Sequence, residues 1–403
     1  VFLIIVILAM NLKINLGYEF ITIQEDHLML EGIPFYANGF NAYWLMSVAS
    51  DPTQRSKVSS AFVAAARHGL AITRAWAFSD GGDSPLQYSP GSYNEQMFQG
   101  LDFVVSEARK WGIRLILSLV NNYEDFGGKQ RYVDWARTFH GENVSLEDEF
   151  FTNSVVKDYY KSHIHVVLNR QNNLTGIAYK DDPTIMAWEL INEPRCSSDP
   201  SGATLQAWIA EMASYVKSID SHHLLEVGLE GFYGQSDEDN STHFQTGTDF
   251  LTNNLIPEID FATIHSYPDQ WLTNRSDEEQ MSFLNEWHNN HIRDAAKVLK
   301  KPIMVAEFGK SCKDSGYSTA KRDVMFETVF STIYLSAKEE GAAAGGLFWQ
   351  LLMEGMDGLR DGYEIVFDEN PSTDAVIAEQ SKKLNNIRKA YVKRQLNSNR
   401  NVP

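Results

Sequence analysis

From Ile33 onward, short apolar, β-rich runs alternate with longer stretches in which apolar residues recur at helical spacing. That alternation is expected of parallel strands joined by helices. Eight such runs can be counted: Pro34 to Phe40, Ala71 to Trp76, Arg114 to Leu119, Thr184 to Leu190, Leu224 to Val227, Phe261 to Ile264, Pro302 to Ala306 and Gly346 to Trp349. Eight is the number that closes a barrel of this kind, so the expected fold class is α/β, a single (β/α)8 TIM barrel. Between the runs, Leu205, Trp208, Ile209, Met212 and Val216 share one helical face, and Val324 to Ala337 carries a second apolar stripe. Both read as outer helices packed on strands. Gly69, Gly112 and Gly341 each follow a basic or charged helical end, where a left-handed residue stops a helix.

No Ser/Gly/Pro-rich linker, internal repeat or low-complexity tract interrupts residues 33–390. One catalytic-size domain is therefore expected over residues 21–392, followed by a polar tail at 393–403 that frays. The wholly apolar run Val1 to Met10 is too short for a membrane span and reads as the centre of a secretory signal, making residues 1–20 a signal-peptide remnant. Four Asn-x-Ser/Thr acceptors, at Asn143, Asn173, Asn240 and Asn274, agree with a secreted glycoprotein.

Composition narrows the partner. Lys plus Arg number 35 against 53 Asp plus Glu, a net charge of -18, which works against nucleic acid and anionic membrane. A neutral substrate fits better. The nine Trp supply flat stacking surfaces as well as core. The only two cysteines, Cys196 and Cys312, exclude a disulfide framework or cysteine zinc cluster; one disulfide near the site and two free buried thiols both remain open.

In a barrel of this type the chemistry sits where strands run into loops on the C-terminal face. Polar residues are dense there: strand two ends in Arg74-Ala-Trp76, strand three in Asn121-Asn122-Tyr123, strand four in Asn192-Glu193-Pro194-Arg195, strand six in His265-Ser-Tyr267, strand seven in Glu307-Phe-Gly309 and strand eight in Trp349-Gln350. Glycoside cleavage needs one carboxylic acid for the leaving oxygen and one carboxylate to attack or to activate water. Glu193 and Glu307 are candidates for that pair. Pro194 cannot continue a central strand, so Glu193 should stand at the rim. Glu189, four residues earlier on the same run, should instead satisfy a partner inside the barrel. His163, His165 and His265 lack a His-Glu-x-x-His frame or acidic loop, so neither a catalytic metal nor a cofactor is expected.

These residues resemble glycoside hydrolase family five and, within it, the plant endo-β-1,4-mannanases. Trp188-Glu-Leu-Ile-Asn192-Glu193-Pro194 is similar to that family's acid/base motif and Ala306-Glu307-Phe308-Gly309 to its nucleophile motif. Asn38-Gly-Phe-Asn-Ala-Tyr43-Trp44, Gly127-Gly128 and Glu230-Gly-Phe-Tyr-Gly234 extend the likeness over nearly the whole chain after residue 20. The resemblance implies Glu193 as acid/base and Glu307 as nucleophile, with Arg74 holding the nucleophile and Asn192 bonding the sugar's 2-hydroxyl. It places His265 and Tyr267 along the cleavage site, Tyr267 bonded to Glu307, Trp349 as platform beneath the distorted sugar, and Arg195 on the leaving-group side. Trp76 and Glu230 join the substrate-binding set.

The implied activity is retaining, endo-acting hydrolysis of mannan, glucomannan or galactomannan, with transfer to another sugar as a side path. The implied setting is an extracellular monomer in the plant cell wall. An endo-β-1,4-glucanase shares fold and glutamates, and a carbohydrate-binding protein without turnover is the rival of another class. Arg195 favours mannan, and the intact polar set argues against a decayed site.

Overall fold

The structure, a computed structural model, describes residues 19–234 and 246–400. The expected signal centre Val1 to Met10, the acceptor Asn240 and the last three residues of the expected tail lie outside the described residues. Eight parallel strands form one sheet: β1 (Ala37–Asn41), β2 (Ile72–Trp76), β3 (Arg114–Ser118), β4 (Ile185–Glu189), β5 (Leu224–Glu226), β6 (Ala262–Ser266), β7 (Ile303–Phe308) and β8 (Ala343–Phe348). Their hydrogen-bonded order is β5-β4-β3-β2-β1-β8-β7-β6. The two ends meet: Asp260 N–H donates to Leu225 O at 2.8 Å and His265 N–H to Glu230 O at 2.9 Å, bringing the sheet to closure as a barrel. The expected fold class therefore stands.

Seven long helices surround the strands: α1 (Arg55–Arg67), α2 (Glu95–Trp111), α3 (Ser154–Leu168), α4 (Ala203–Ile219), α5 (Asp277–Asp294), α6 (Thr319–Lys338) and α7 (Pro371–Arg400). The apolar stripe predicted for α4 is buried at all five positions, Leu205, Trp208, Ile209, Met212 and Val216. Asn94 starts α2 by accepting from Gln96 N–H, and left-handed Gly112 ends it. At the end of α6 it is Glu340, not Gly341, that turns left-handed, at φ 57°. Gly341 is needed for a different reason: a Cβ there would lie 2.7 Å from Ser336 Oγ. The last helix continues through the polar stretch from Lys393 to Arg400, so that part of the expected tail is helical.

Four boundaries shifted: the sixth and seventh strands run two residues past the predicted Ile264 and Ala306, to Ser266 and Phe308, so His265 and Glu307 lie on the strands themselves, and the first and last strands differ at their starts. The predicted first run, Pro34 to Phe40, joined Pro34, the end of the strand Ile33–Pro34 in a small antiparallel sheet with Thr22–Gln24 and His27–Leu30, to the barrel strand that begins at Ala37. The last strand starts three residues before the predicted Gly346, because small residues (Ala343, Ala344, Gly345) carry little strand signature. Gly345 is small for contact: a Cβ would lie 1.9 Å from Ala37 O on β1.

Ile21, Leu28 and Phe35 pack on Ile72, Ile116, Leu224 and Phe261 in one apolar cluster, which closes the barrel where the strands begin. A larger cluster fills the space between sheet and helices. At the opposite end the interior turns polar, with Arg74, Glu189, Glu226 and Thr263 all at most 1% exposed.

Candidate active site

Strand alternation decides which side chains reach that polar end. On β4, Trp188 points outward, its Nε1–H donating to Asp220 Oδ2 at 2.7 Å, while neighbouring Glu189 points inward. Glu189 lies against Arg74, which donates from Nε at 2.5 Å and Nη2 at 2.7 Å. The same guanidinium reaches Asn41 Oδ1 at 3.1 Å, Asn192 Oδ1 at 2.7 Å and Glu307 Oε1 at 2.5 Å. One buried arginine thus ties together the ends of β1, β2, β4 and β7. As expected, Glu189 serves the interior rather than the cleft.

The sheet register aims the other groups. Between Ile264 and His265 the pairing of β6 with β7 slips, so His265 comes opposite Glu307. A bulge of this kind re-aims side chains at a barrel rim. Glu193 follows β4 in a left-handed conformation, φ 51°, uncommon for a residue with a side chain. Its backbone N–H donates to Gly228 O at 2.9 Å. Only glycine fits at 228, where a Cβ would lie 1.9 Å from Ile191 O. Asn192 is held by N–H to Val120 O at 2.9 Å and by its amide nitrogen to Asn121 Oδ1 at 3.0 Å.

The result is a cleft of about 850 Å³ whose lining includes Trp76, Asn192, Glu193, Arg195, Glu230, Tyr267, Glu307 and Trp349. One oxygen each from Glu193 and Glu307 and a ring nitrogen of His265 all lie within 4.8 Å of one another. His265 Nδ1 and Glu193 Oε1 are hydrogen-bonded at 2.5 Å. Tyr267 Oη donates to Glu307 Oε2 at 2.8 Å. Arg74 also lies over the Trp76 ring, 4.8 Å from its centroid. Every candidate named from the sequence is thus gathered at one end of the barrel, with Arg74 and His265 buried behind the cleft wall. His163, buried on α3, and His165, exposed on the same helix, do not join them.

Glu193, His265 and Glu307 are the one group with metal-type donors in reach of each other among the described residues. Each donor is already engaged: both Glu307 oxygens by Arg74 and Tyr267, and His265 Nδ1 by Glu193. Arg74 supplies the positive charge that a cation would otherwise bring.

Burial is the largest influence on both carboxyls and pushes each up from the ordinary glutamate value. Like charge is a lesser influence: on Glu307 the Glu193 charge ranks after burial, His265 and Arg74. Glu307 accepts from a cation and a phenol, which stabilises its charged form. Glu193 hydrogen-bonds to His265, which burial holds toward its neutral form.

Arg195 grips Glu230 with both arms, Nε to Oε2 at 2.7 Å and Nη2 to Oε1 at 2.6 Å. Burial and the Glu193 charge push Glu230 up to about 7. Several cleft residues were not singled out from the sequence. Tyr123 hydrogen-bonds Glu193, and Asp361 accepts from Trp349 Nε1–H at 2.6 Å and Gln350 at 2.9 Å. Tyr363 and Trp271 also line the cleft. Tyr123 stood in a strand-end triplet and could have been chosen on that ground; Asp361 and Tyr363 lie in a loop without periodicity. The two cysteines are separate free thiols, Cys196 buried and Cys312 exposed.

Fold and cleft together define a (β/α)8-barrel glycoside hydrolase. The chain belongs to the family described as "GH family 5 beta-mannosidase-like", whose sequence model matches residues 18–356. It is 62% identical over 377 residues to mannan endo-1,4-beta-mannosidase 7 of Arabidopsis thaliana, covering 93% of this chain and 87% of that one. It is 58% identical over 383 residues to mannan endo-1,4-beta-mannosidase 1 of Oryza sativa subsp. japonica, covering 94% and 88%. Among solved structures, the endo-1,4-beta-mannanase of Rhizomucor miehei superposes with a TM-score of 0.78 at 31% identity, covering 91% of this chain and all of that one.

Proposed function

We propose that this chain hydrolyses β-1,4-mannosidic bonds within mannan-type polysaccharides by double displacement with retained configuration. The observation that carries the reading is the approach of Glu193 and Glu307 oxygens within 4.8 Å across one cleft. Retaining glycosidases keep their carboxyls about 5–5.5 Å apart, inverting ones about 6.5–9.5 Å. Glu307, ionised against Arg74 and Tyr267, attacks the anomeric carbon while Glu193 gives its proton to the departing oxygen. Glu193, now charged, takes a proton from water, and the hydroxide so formed releases the sugar from Glu307. Trp349 forms the platform for the reacting sugar, with Trp76 beside it; Asn192 bonds its 2-hydroxyl, and Arg195 with Glu230 faces the leaving side.

Cleft and carboxyls come from one chain, which supports action as a monomer on a neutral polysaccharide. Exposure of Asn143, Asn173 and Asn274 supports a secreted glycoprotein of the plant cell wall, with residues 1–20 as its signal remnant and 21–392 as its catalytic domain. No described helix is long and apolar enough to cross a membrane.

The test is Glu193→Gln on mannan, with product configuration followed by NMR. Turnover should fall by roughly 10² to 10⁴, the range for losing general acid-base help, and the wild type should release the retained anomer first. Near-normal turnover or an inverted first product overturns the assignment. Faster cleavage of carboxymethyl cellulose than of mannan would make the chain a glucanase, and binding without product would make it a lectin-like barrel.

A further inference from the structure

Arg195 can serve the leaving side only if its main chain stays in place, and one buried amine holds it there. Lys129 is 1% exposed, whereas lysines are seldom fully buried without a partner. Its Nζ donates to Arg195 O at 2.8 Å and to Asp148 Oδ1 at 2.7 Å. Asp148 Oδ2 in turn accepts from the N–H of Ser198, further along the loop that begins with Arg195, at 2.8 Å. Burial works to raise the Asp148 carboxyl, but the bonds from Lys129 and Ser198 bring it below its ordinary value, which keeps it charged against the amine. From the other side Asn122 Oδ1 accepts the Arg195 N–H at 3.0 Å. Both polar atoms of the Arg195 main chain are thus tied to groups outside its own loop.

Two glycines bring the amine to that position. Lys129 is the second residue of the short helix Gly128–Trp135, and its own N–H donates to Asn121 O at 2.9 Å. A Cβ on Gly127 would lie 2.0 Å from Asp80 O, and one on Gly128 would lie 1.8 Å from Tyr123 O, so neither position admits a side chain. The helix therefore starts hard against the loops after β2 and β3, and its first side chain reaches the loop after β4. Glu193 is anchored separately, by its N–H to Gly228 O and by its carboxyl to His265. The amine bears on Arg195 rather than on the proton carrier.

We propose that Lys129, paired with Asp148, is a positioning residue for the leaving side: it fixes the main chain from which Arg195 reaches Glu230 and the departing sugar. The proposal rests on the mannanase reading above, in which the Arg195–Glu230 fork faces the leaving side. An apolar side chain of similar length fills the same space but leaves Arg195 O without its donor, and the loop is then free to shift. A shift on the ångström scale in a substrate-positioning group costs up to about 10²-fold.

The test compares wild type and Lys129→Met on a linear manno-oligosaccharide and on an aryl manno-oligosaccharide whose nitrophenol leaving group brings no sugar to Arg195. Wild-type cleavage of the linear chain checks the mannanase reading and is read first. Lys129→Met should lower kcat/KM on the linear chain by roughly tenfold or more, expressed in KM more than in kcat. Its cleavage of the aryl substrate should stay within about twofold of wild type, the scatter of independent effects. In an Arg195→Ala background the same substitution should change linear-chain kcat/KM by no more than that about twofold scatter. Lys129→Met combined with Asp148→Asn strands no buried charge and gives the same comparison if the single variant folds poorly. Parallel loss on both substrates, a loss as large with Arg195→Ala as without it, or no loss on either substrate overturns the positioning role and leaves the mannanase reading standing. A wild type inactive on the linear chain overturns both.

Discussion

Two arginine–glutamate forks flank the candidate acid/base, and they are built alike yet set in different surroundings. Arg74 holds Glu189 through Nε and Nη2, with both side chains 0% exposed. Arg195 holds Glu230 through the same two atoms at 2.7 and 2.6 Å, with side chains 33% and 4% exposed. The inner guanidinium is committed: its remaining donors go to Asn41, Asn192 and Glu307. The outer one leaves a flank open, with the Phe232 ring 5.6 Å from it. The difference teaches that one pairing chemistry can serve as scaffold or as binding surface, depending on how much water reaches it. In water a charge that loses its partner is resolvated; in the interior it is stranded.

Breaking the inner fork should have the largest effect. Glu189→Ala leaves the Arg74 charge buried with one of its two carboxylate partners gone, for which about 3–5 kcal/mol of stability is the usual loss. Chemical denaturation measures it. Turnover should fall too, because Arg74 then has freedom to leave Glu307. A loss below about 1 kcal/mol would place the inner fork with exposed pairs and remove the contrast.

Breaking the outer fork should do less to the fold and more to binding. Arg195→Ala is expected to lose roughly 1–2 kcal/mol, between the exposed and buried ranges, since water can reach the vacated side of Glu230. KM for mannan oligosaccharides should rise more than kcat falls, as for a group that contacts the leaving side without moving a proton. A drop in kcat equal to that of Glu189→Ala would show the two forks to be one machine.

The two forks were not equally legible. Strand ends, the Asn192-Glu193-Pro194 triplet and the Glu307-Phe-Gly309 triplet could be read from local pattern because barrel topology fixes where such ends point. Arg74 was found as a strand-end residue and Glu189 by its parity with Glu193 on one strand. The bulge that brings His265 to Glu307 was not legible, since it is a property of two strands together and leaves no mark on either. Asp361 and Tyr363 escaped for a related reason: the loop after β8 has no period, and its position follows from packing against Trp349. The first strand was started too early, at Pro34 of the small antiparallel sheet, and the last too late, because Ala343, Ala344 and Gly345 dilute its β signal.

Titration sharpens the contrast further, with a smaller effect. Glu230 is pushed from 4.5 up to about 7, chiefly by burial and then by the Glu193 charge, with Arg195 opposing. Between those two values the folded protein binds a proton that the unfolded chain has released, so this group's stabilisation is complete below the lower value and is lost as pH rises through the upper one. Glu230→Gln cannot titrate, and the difference in unfolding free energy between wild type and this variant isolates the group. That difference should shrink as pH rises across the window and level off above it. Arg195→Ala removes the opposing cation and should carry the loss to higher pH. A flat difference curve would mean the outer carboxylate behaves as an ordinary surface acid, and one that rises with pH would mean that Arg195 holds it below its unfolded value.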